Sequence, residues 1–119
     1  MSIAVDRERA VVDSVPRGLF IGGEWREASG GATLEVEDPS TGESIASVAD
    51  ATPGDATAAL DACVGVQAAW AAHPPRERGE ILRRGWEVMS ERADDLALLM
   101  TLEMGKPLAE SRAEYQGVT

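Results

Sequence analysis

The 119-residue chain carries 21 acidic and 11 basic residues, which give a formal net charge of -10, and 44% of its residues are hydrophobic. This composition is ordinary for a globular protein and argues against disorder throughout. The acidic surplus repels phosphate backbones and anionic membranes, so we expect neither nucleic acid nor membrane as a partner. Because no apolar run resembles a signal peptide or approaches the ~20 residues of a membrane span, we expect a cytoplasmic protein.

Nucleophiles and metal ligands are scarce in this chain. Cys63 and His73 are its only cysteine and histidine, so an internal disulfide and a Cys/His metal cluster are both excluded. Cys63 lies on the apolar stripe of a predicted helix with no base or cation nearby in sequence, and we interpret it as a small buried core residue. His73 ends that helix, where it complements the helix dipole but has no visible partner for a general-base role.

The first fifty residues predict a flexible leader followed by short strands. Residues 1–17 have few large apolar side chains and are not expected to contribute to the core. Two glycines, Gly22 and Gly23, separate two strand-like runs and predict a tight hairpin. Residues 33–37 alternate apolar and acidic side chains, as a half-buried strand does, and a turn rich in Pro and Gly leads to a return strand at 44–49. The pattern therefore predicts a small antiparallel meander.

About four helices are predicted after the meander. The first begins with Thr52 as its N-cap and Pro53 at its first position. Pro74 and Pro75 end it and open the second. The apolar stripe of the first helix comprises Ala56, Ala59, Leu60, Cys63, Val66 and Trp70, and that of the second comprises Leu82, Gly85, Trp86, Met89 and Ala93.

The third and fourth predicted helices meet at a glycine. Asp94 and Asp95 stand where the third helix is expected to be capped, and Gly105 is expected to end that helix. Pro107 then opens the fourth helix. Adjacent aspartates do not face each other on a helix, so we prefer capping to cation binding for this pair.

Charged residues on the second helix form a mixed cluster. Four arginines alternate with three glutamates at pairing distances, which favours a solvated, salt-bridged face over an anion site. The cluster comprises Arg76, Arg78, Arg83, Arg84, Glu77, Glu80 and Glu87. The chain also has no asparagine and no G-x-G pair, and so lacks the Gly-rich phosphate loops of nucleotide-binding folds. We therefore predict no catalytic, cofactor-binding or metal-binding residue in this chain.

Five linked blocks, extending from about Leu19 to Glu114, resemble the start of the NAD(P)-dependent aldehyde dehydrogenases. In order they are LFIGGEWREASGG, EDPSTGESIASV, a helix ending in AAW, RERGEILRRGWEVM and DDLALLMTLEMGKPLAE. Within that family the chain is most similar to the succinate-semialdehyde dehydrogenases. The resemblance implies an α/β fold in which residues 18–119 form the leading, incomplete part of a Rossmann-like cofactor domain.

The resemblance also implies what a complete enzyme does. A cysteine thiolate attacks the aldehyde, here expected to be succinic semialdehyde, and the amide of an asparagine side chain and a backbone amide stabilise the oxyanion. Hydride passes to NAD or NADP, and a glutamate activates the water that releases the carboxylic acid. The complete enzyme is expected to be a homo-oligomer. Because Cys63 lies outside the family's cysteine motif and asparagine is absent, no role is transferred, and we expect this chain alone to bind no cofactor and to be inactive.

The end of the chain departs from the family pattern. Gly117 is expected to break the last helix where the family continues an amphipathic one, which favours a truncated gene product or a fragment. The alternative is a non-catalytic interaction module that docks on a full-length homologue through its apolar helix faces. The faces expected to be left uncovered carry Leu60, Val66, Trp70, Leu82, Trp86, Leu96 and Leu99.

Overall fold

The computed structural model describes residues 3–118 and begins with a helix where the sequence predicted a flexible leader. Helix α1 spans Ile3–Asp13, and its valines Val11 and Val12 are buried. The helix packs against α4, which spans Ala93–Met104. The prediction that this segment adds nothing to the core is therefore wrong, because the segment forms a helix that buries two valines.

The predicted first hairpin is confirmed. Strands β1 (Leu19–Ile21) and β2 (Glu24–Arg26) pair antiparallel, with Phe20 opposite Trp25. Gly22 and Gly23 occupy the two turn positions with φ of 64° and 88°, the left-handed conformation that a two-residue turn requires and that glycine adopts without strain. The rings of Phe20 and Trp25 lie 5.1 Å apart, a cross-strand aromatic pair that stabilises the hairpin.

A second pair of strands follows, separate from the first. Strand β3 (Thr33–Asp38) pairs with β4 (Glu43–Ala49) in its own two-stranded sheet. The Asp38 carboxylate accepts hydrogen bonds from the backbone amide and the hydroxyl of Ser40, at 2.8 and 2.7 Å, and so fixes the turn. The antiparallel strands of the predicted α/β fold are confirmed, but among residues 3–118 they form two hairpins and not one continuous meander.

Helices α2 (Pro53–Ala72) and α3 (Pro75–Glu91) begin and end close to their predicted positions. Thr52 caps α2, and Pro53 is its first residue. The apolar stripes of both helices are largely exposed, as expected: Leu60 of α2 is 63% exposed and Leu82 of α3 is 69% exposed.

Helices α4 and α5 (Leu108–Val118) pack against each other. Gly105 ends α4 in the left-handed conformation with φ of 72°, which confirms its predicted role. Leu96 and Leu99 were expected to be left uncovered, but both are only partly exposed. The prediction for Gly117 is wrong, since α5 continues through it to Val118. A single glycine weakens a helix by about 1 kcal/mol relative to alanine but does not by itself end it.

The predicted capping role of Asp94 and Asp95 is also wrong. The N-cap of α4 is Arg92, which makes no side-chain cap hydrogen bond, and the two aspartates lie in the first turn. Asp95 is 3.5 Å from Arg7 of α1, and Asp94 is 3.2 Å from Arg112 of α5. The aspartates still oppose the helix dipole, but their partners come from neighbouring helices.

The chain divides into two compact units. One comprises the residues up to Val15, Glu35–Ala46 and the residues from Arg83 onward. Its buried residues include Val11, Val12, Ala97 and Tyr115 on three helices, with Ser111 fully buried beside Thr101. The other comprises Pro16–Leu34 and Ser47–Leu82, and its buried residues include Ala28 and Asp55.

Gly105 provides a test of the turn between α4 and α5. Gly105→Ala places a Cβ 2.9 Å from the Pro39 side chain at a positive φ, so we expect a loss of about 1 to 3 kcal/mol in the free energy of unfolding. Gly117→Ala is the matched control, because its φ is ordinary and a Cβ there meets nothing within 4 Å. We expect it to be neutral or stabilising in urea denaturation. Equal losses in the free energy of unfolding for the two variants would contradict the role of Gly105 in ending α4.

Candidate functional site

The carboxylate of Asp55, in the first turn of α2, is buried and accepts several hydrogen bonds. Only 3% of this residue is exposed. Its Oδ1 accepts a hydrogen bond from the Ser29 hydroxyl at 2.6 Å, and its Oδ2 accepts from the backbone amides of Ser29 and Thr52 at 3.0 and 2.9 Å. The Thr52 hydroxyl also lies 3.0 Å from Oδ2, while the Asp55 amide donates back to Thr52 Oγ1 at 3.2 Å.

These donors decide the charge of the group. The Ser29 hydroxyl, followed by the backbone amides of Thr52 and Ser29, holds the pKa of Asp55 far below its usual range, and burial opposes this only in part. Hydrogen bonds to an ionised carboxylate favour the charged form. Asp55 is therefore an anion whose lone pairs are already engaged, which suits it to hold a loop on a helix and not to transfer protons.

The sequence predicted one member of this cluster, Thr52, as the N-cap of α2. The spacing of Thr52 and Asp55 is that of a capping box, and the structure forms one. Ser29 was missed, because it lies 26 residues from Asp55 and its loop carries no local pattern that points to a distant carboxylate. Ser29 and Asp55 together connect the loop before β3 to the start of α2.

Cys63 is exposed, and the prediction that it is buried in the core is wrong. It borders an open groove of about 320 Å³ between the turn of the first hairpin and α2. The residues lining the groove are Phe20, Ile21, Gly22, Gly23, Ala59, Ala62, Cys63 and Val66. None of these neighbours is a base or a cation, so the groove has nothing that would activate a thiol.

His73 has a neighbour that the sequence interpretation missed. Its Nδ1 lies 3.3 Å from Glu77 Oε2, and both side chains are about half-exposed. The four-residue spacing could have indicated this contact, but the prolines between the two helices concealed it. An exposed pair of this kind contributes little to stability and gives no enclosed site for chemistry.

The mixed charge cluster on α3 behaves in part as predicted. Arg83 and Glu87 form an ion pair four residues apart on its exposed face. The Nε of Arg78 is buried without a hydrogen-bond partner among residues 3–118. The observed ion pair supports the interpretation of a solvated, salt-bridged face.

Residues 3–118 contain no group of three or more His, Cys, Asp or Glu side chains placed to hold a metal ion. Within the same range, no helix is both long enough and apolar enough to cross a membrane.

Comparison with known proteins places the chain in a family. Residues 25–119, about four-fifths of the chain, match the aldehyde dehydrogenase family. The chain belongs to the aldehyde dehydrogenase family. Over 95 residues this aldehyde dehydrogenase chain is 44% identical to glutarate-semialdehyde dehydrogenase of Pseudomonas putida. It is also 44% identical, over 95 residues, to the NADP(+) succinate-semialdehyde dehydrogenase of Escherichia coli. Each match covers 80% of this chain and 20% of the relative.

A solved structure supports the same assignment. Betaine aldehyde dehydrogenase of Staphylococcus aureus, solved in complex with NAD+, is 28% identical with a TM-score of 0.87. The match covers 93% of this chain and 22% of that one. The aldehyde dehydrogenase chain thus spans about a fifth of the length of the relatives it matches.

The Asp55 cluster makes a prediction about pH. The pKa of Asp55 is lower in the folded state than in the unfolded state, so its carboxylate stabilises the fold above pH ~4. This stabilisation is lost as the pH falls through the pKa of the folded state. Asp55→Asn replaces an acceptor by a donor that faces amide donors, so its melting temperature should be clearly lower at pH 7. The difference from the wild type should shrink as the pH falls below about 4.

Asp61→Asn is the matched control, since Asp61 is an exposed aspartate on the same helix. Thermal melts of the three proteins from pH 7 down to acid pH measure the effect. A deficit for Asp55→Asn that is independent of pH would contradict the charged cluster.

Proposed function

We propose that this protein forms the leading part of an enzyme that oxidises an aldehyde to a carboxylic acid with NAD(P)+. The observation that carries the proposal is the family match over residues 25–119. Residues 18–119 then form the first part of the cofactor-binding domain. The sequence also leads us to propose a homo-oligomeric enzyme in the cytoplasm.

The relatives support a substrate class. Glutarate semialdehyde and succinate semialdehyde, which name the two curated relatives, are both short aldehydes that end in a carboxylate. Since identity to the two relatives is the same, we propose a semialdehyde of this class as the substrate. The sequence resemblance favours succinic semialdehyde within it.

The cofactor is proposed from the relatives and not from the residues of this chain. The E. coli relative is named for NADP(+), and the S. aureus structure contains NAD+. A dinucleotide phosphate commonly binds at a helix N-terminus, where amides are free. Asp55 already supplies a carboxylate at the start of α2, and Asp94 and Asp95 place negative charge at the start of α4. These two helix starts do not fit a phosphate, and we assign no cofactor contact to them.

The geometry of the described residues is consistent with a scaffold role for this segment. Asp55 fixes the loop that contains Ser29 to α2, while Cys63 lies on an exposed face without an activating group. The alternative role, a non-catalytic interaction module, receives no support from the relatives, which are named as enzymes.

We expect the isolated chain not to reduce NAD+ or NADP+ with succinic or glutaric semialdehyde. The physical reason is that Cys63, whose thiol is the nucleophile type that the family uses, borders a groove that contains no base or cation to activate it. Absorbance at the reduced nicotinamide band measures the reaction. Reduction above the protein-free rate that disappears in Cys63→Ala would contradict the expected inactivity of the isolated chain.

A chimaera tests the positive half of the proposal. Residues 25–119 replace the matching segment of the E. coli succinate-semialdehyde dehydrogenase, and the truncated E. coli chain without that segment is the control. We expect NADP+ reduction by the chimaera and none by the control. A soluble, folded chimaera without activity would contradict the assigned scaffold role.

A further inference from the structure

Lys106 is the one side chain of this protein that can form an imine. The 11 Lys and Arg residues comprise Lys106 and ten arginines. A guanidinium stays protonated and has no lone pair to offer, whereas the primary amine of lysine forms Schiff bases with carbonyl compounds. Among the side chains of this protein, a simple aldehyde can therefore form a carbon–nitrogen double bond at position 106 alone.

The backbone on both sides of Lys106 is fixed by the turn between α4 and α5. On one side, Gly105 has a φ of 72°, and its amide donates to the Thr101 carbonyl at 2.9 Å. On the other side, Pro107 restricts the residue before it to extended conformations, and its carbonyl accepts a hydrogen bond from the Glu110 amide at 2.9 Å. The turn therefore sets the direction in which the Lys106 side chain leaves the backbone.

The side chain of Lys106 is covered more than is usual for a lysine. Only 21% of it is exposed, whereas most lysines lie exposed on protein surfaces. Its Nζ donates a hydrogen bond to Oε2 of Glu114 in α5, and the Glu114 side chain is 52% exposed. The aliphatic stem is thus packed against protein, as the stems of long cationic side chains often are, while the charged end is held by a half-exposed carboxylate.

This ion pair opposes imine formation. The nitrogen attacks the carbonyl carbon only as the neutral amine; a carbon–nitrogen bond then forms, and the carbonyl oxygen leaves as water. An ammonium group that donates to a carboxylate has no lone pair for this attack, and the covered stem leaves an aldehyde little room to approach. Because Glu114 is half-exposed, the pair is of modest strength. It therefore opens part of the time and slows the reaction without abolishing it.

We propose that Lys106 is the site at which small aldehydes modify this chain, and that Glu114 restrains the reaction by holding the ammonium group. The inference rests on the proposed function for its reagent, since an enzyme that handles aldehydes meets them continually. It assigns Lys106 no part in the oxidation. Glu114 protects the one susceptible side-chain amine, and loss of its carboxylate opens that amine to attack.

Reductive alkylation of the isolated chain tests the restraint. The chain is incubated at neutral pH with propanal and cyanoborohydride, which reduces the imine to a stable secondary amine, and mass spectrometry of the peptide that contains residue 106 gives the initial rate. We expect Glu114→Gln to raise this rate about three- to fivefold, the size expected for loss of a partly exposed ion pair. Glu110→Gln is the matched control, because it removes the same charge from the same helix and leaves the Lys106–Glu114 pair in place. Lys106→Arg should give no adduct on that peptide.

The unfolded chain provides a second measurement that needs no variant. In guanidinium chloride the wild type should react faster than in its folded state, and as fast as both glutamine variants, because the restraint is a property of the fold. Circular dichroism checks that the variants keep their helices without denaturant. Equal rates for the folded and unfolded wild type, equal rates for the folded wild type and Glu114→Gln, or the same increase for Glu110→Gln would each overturn the proposal. Propanal is not a semialdehyde and labelling needs no turnover, so the result is independent of whether the complete enzyme oxidises its proposed substrate.

Discussion

The hydrogen bonds to Asp55 are the constraint on which the second unit depends. This carboxylate joins the Ser29 loop to the first turn of α2 and receives two hydroxyl and two amide donors. Because those donors stabilise the anion, the cluster remains charged at neutral pH. The carboxylate satisfies the backbone amides of Ser29 and Thr52 and complements the dipole of α2. Asp55 therefore completes the capping box with Thr52 and also fixes the segment that leads into β3.

The helices of this segment have well-formed ends, but many of their apolar side chains are exposed to solvent. Two helix ends are capped by local interactions. A capping box begins α2, and Gly105 ends α4 in the left-handed conformation. Tertiary burial is sparse, since Leu60 and Leu82 remain mostly exposed. A chain that matches about a fifth of the length of its aldehyde dehydrogenase relatives shows complete secondary structure with uncovered apolar faces. The proposed scaffold role rests on this combination.

Sequence reasoning succeeded where the signal was local. The Gly22-Gly23 hairpin, the Thr52 cap and the Gly105 stop each depend on a few adjacent residues, and each is present in the structure. It failed where the outcome depended on distant partners. Asp95 pairs with Arg7 across 88 residues, and no periodicity indicates such a contact.

Two further failures have the same physical origin. The pattern around Cys63 shows which face of α2 is apolar but not whether anything covers that face, so burial was wrongly predicted. Helix α1 was missed because its segment has few large apolar residues, although Val11 and Val12 are enough to be buried. Within the Asp55 cluster, Thr52 was predicted because an N-cap residue directly precedes Pro53 at the start of the helix. Ser29 was not predicted, because it lies 26 residues from Asp55.

The most direct test of the central claim is an NMR pH titration of the side-chain carboxyl carbon of Asp55. If the carboxylate receives the donors described, its chemical shift stays at the ionised value through and below pH ~4, where an unperturbed aspartate titrates. A midpoint for Asp55 near 4 would show that the cluster does not hold the loop to the helix.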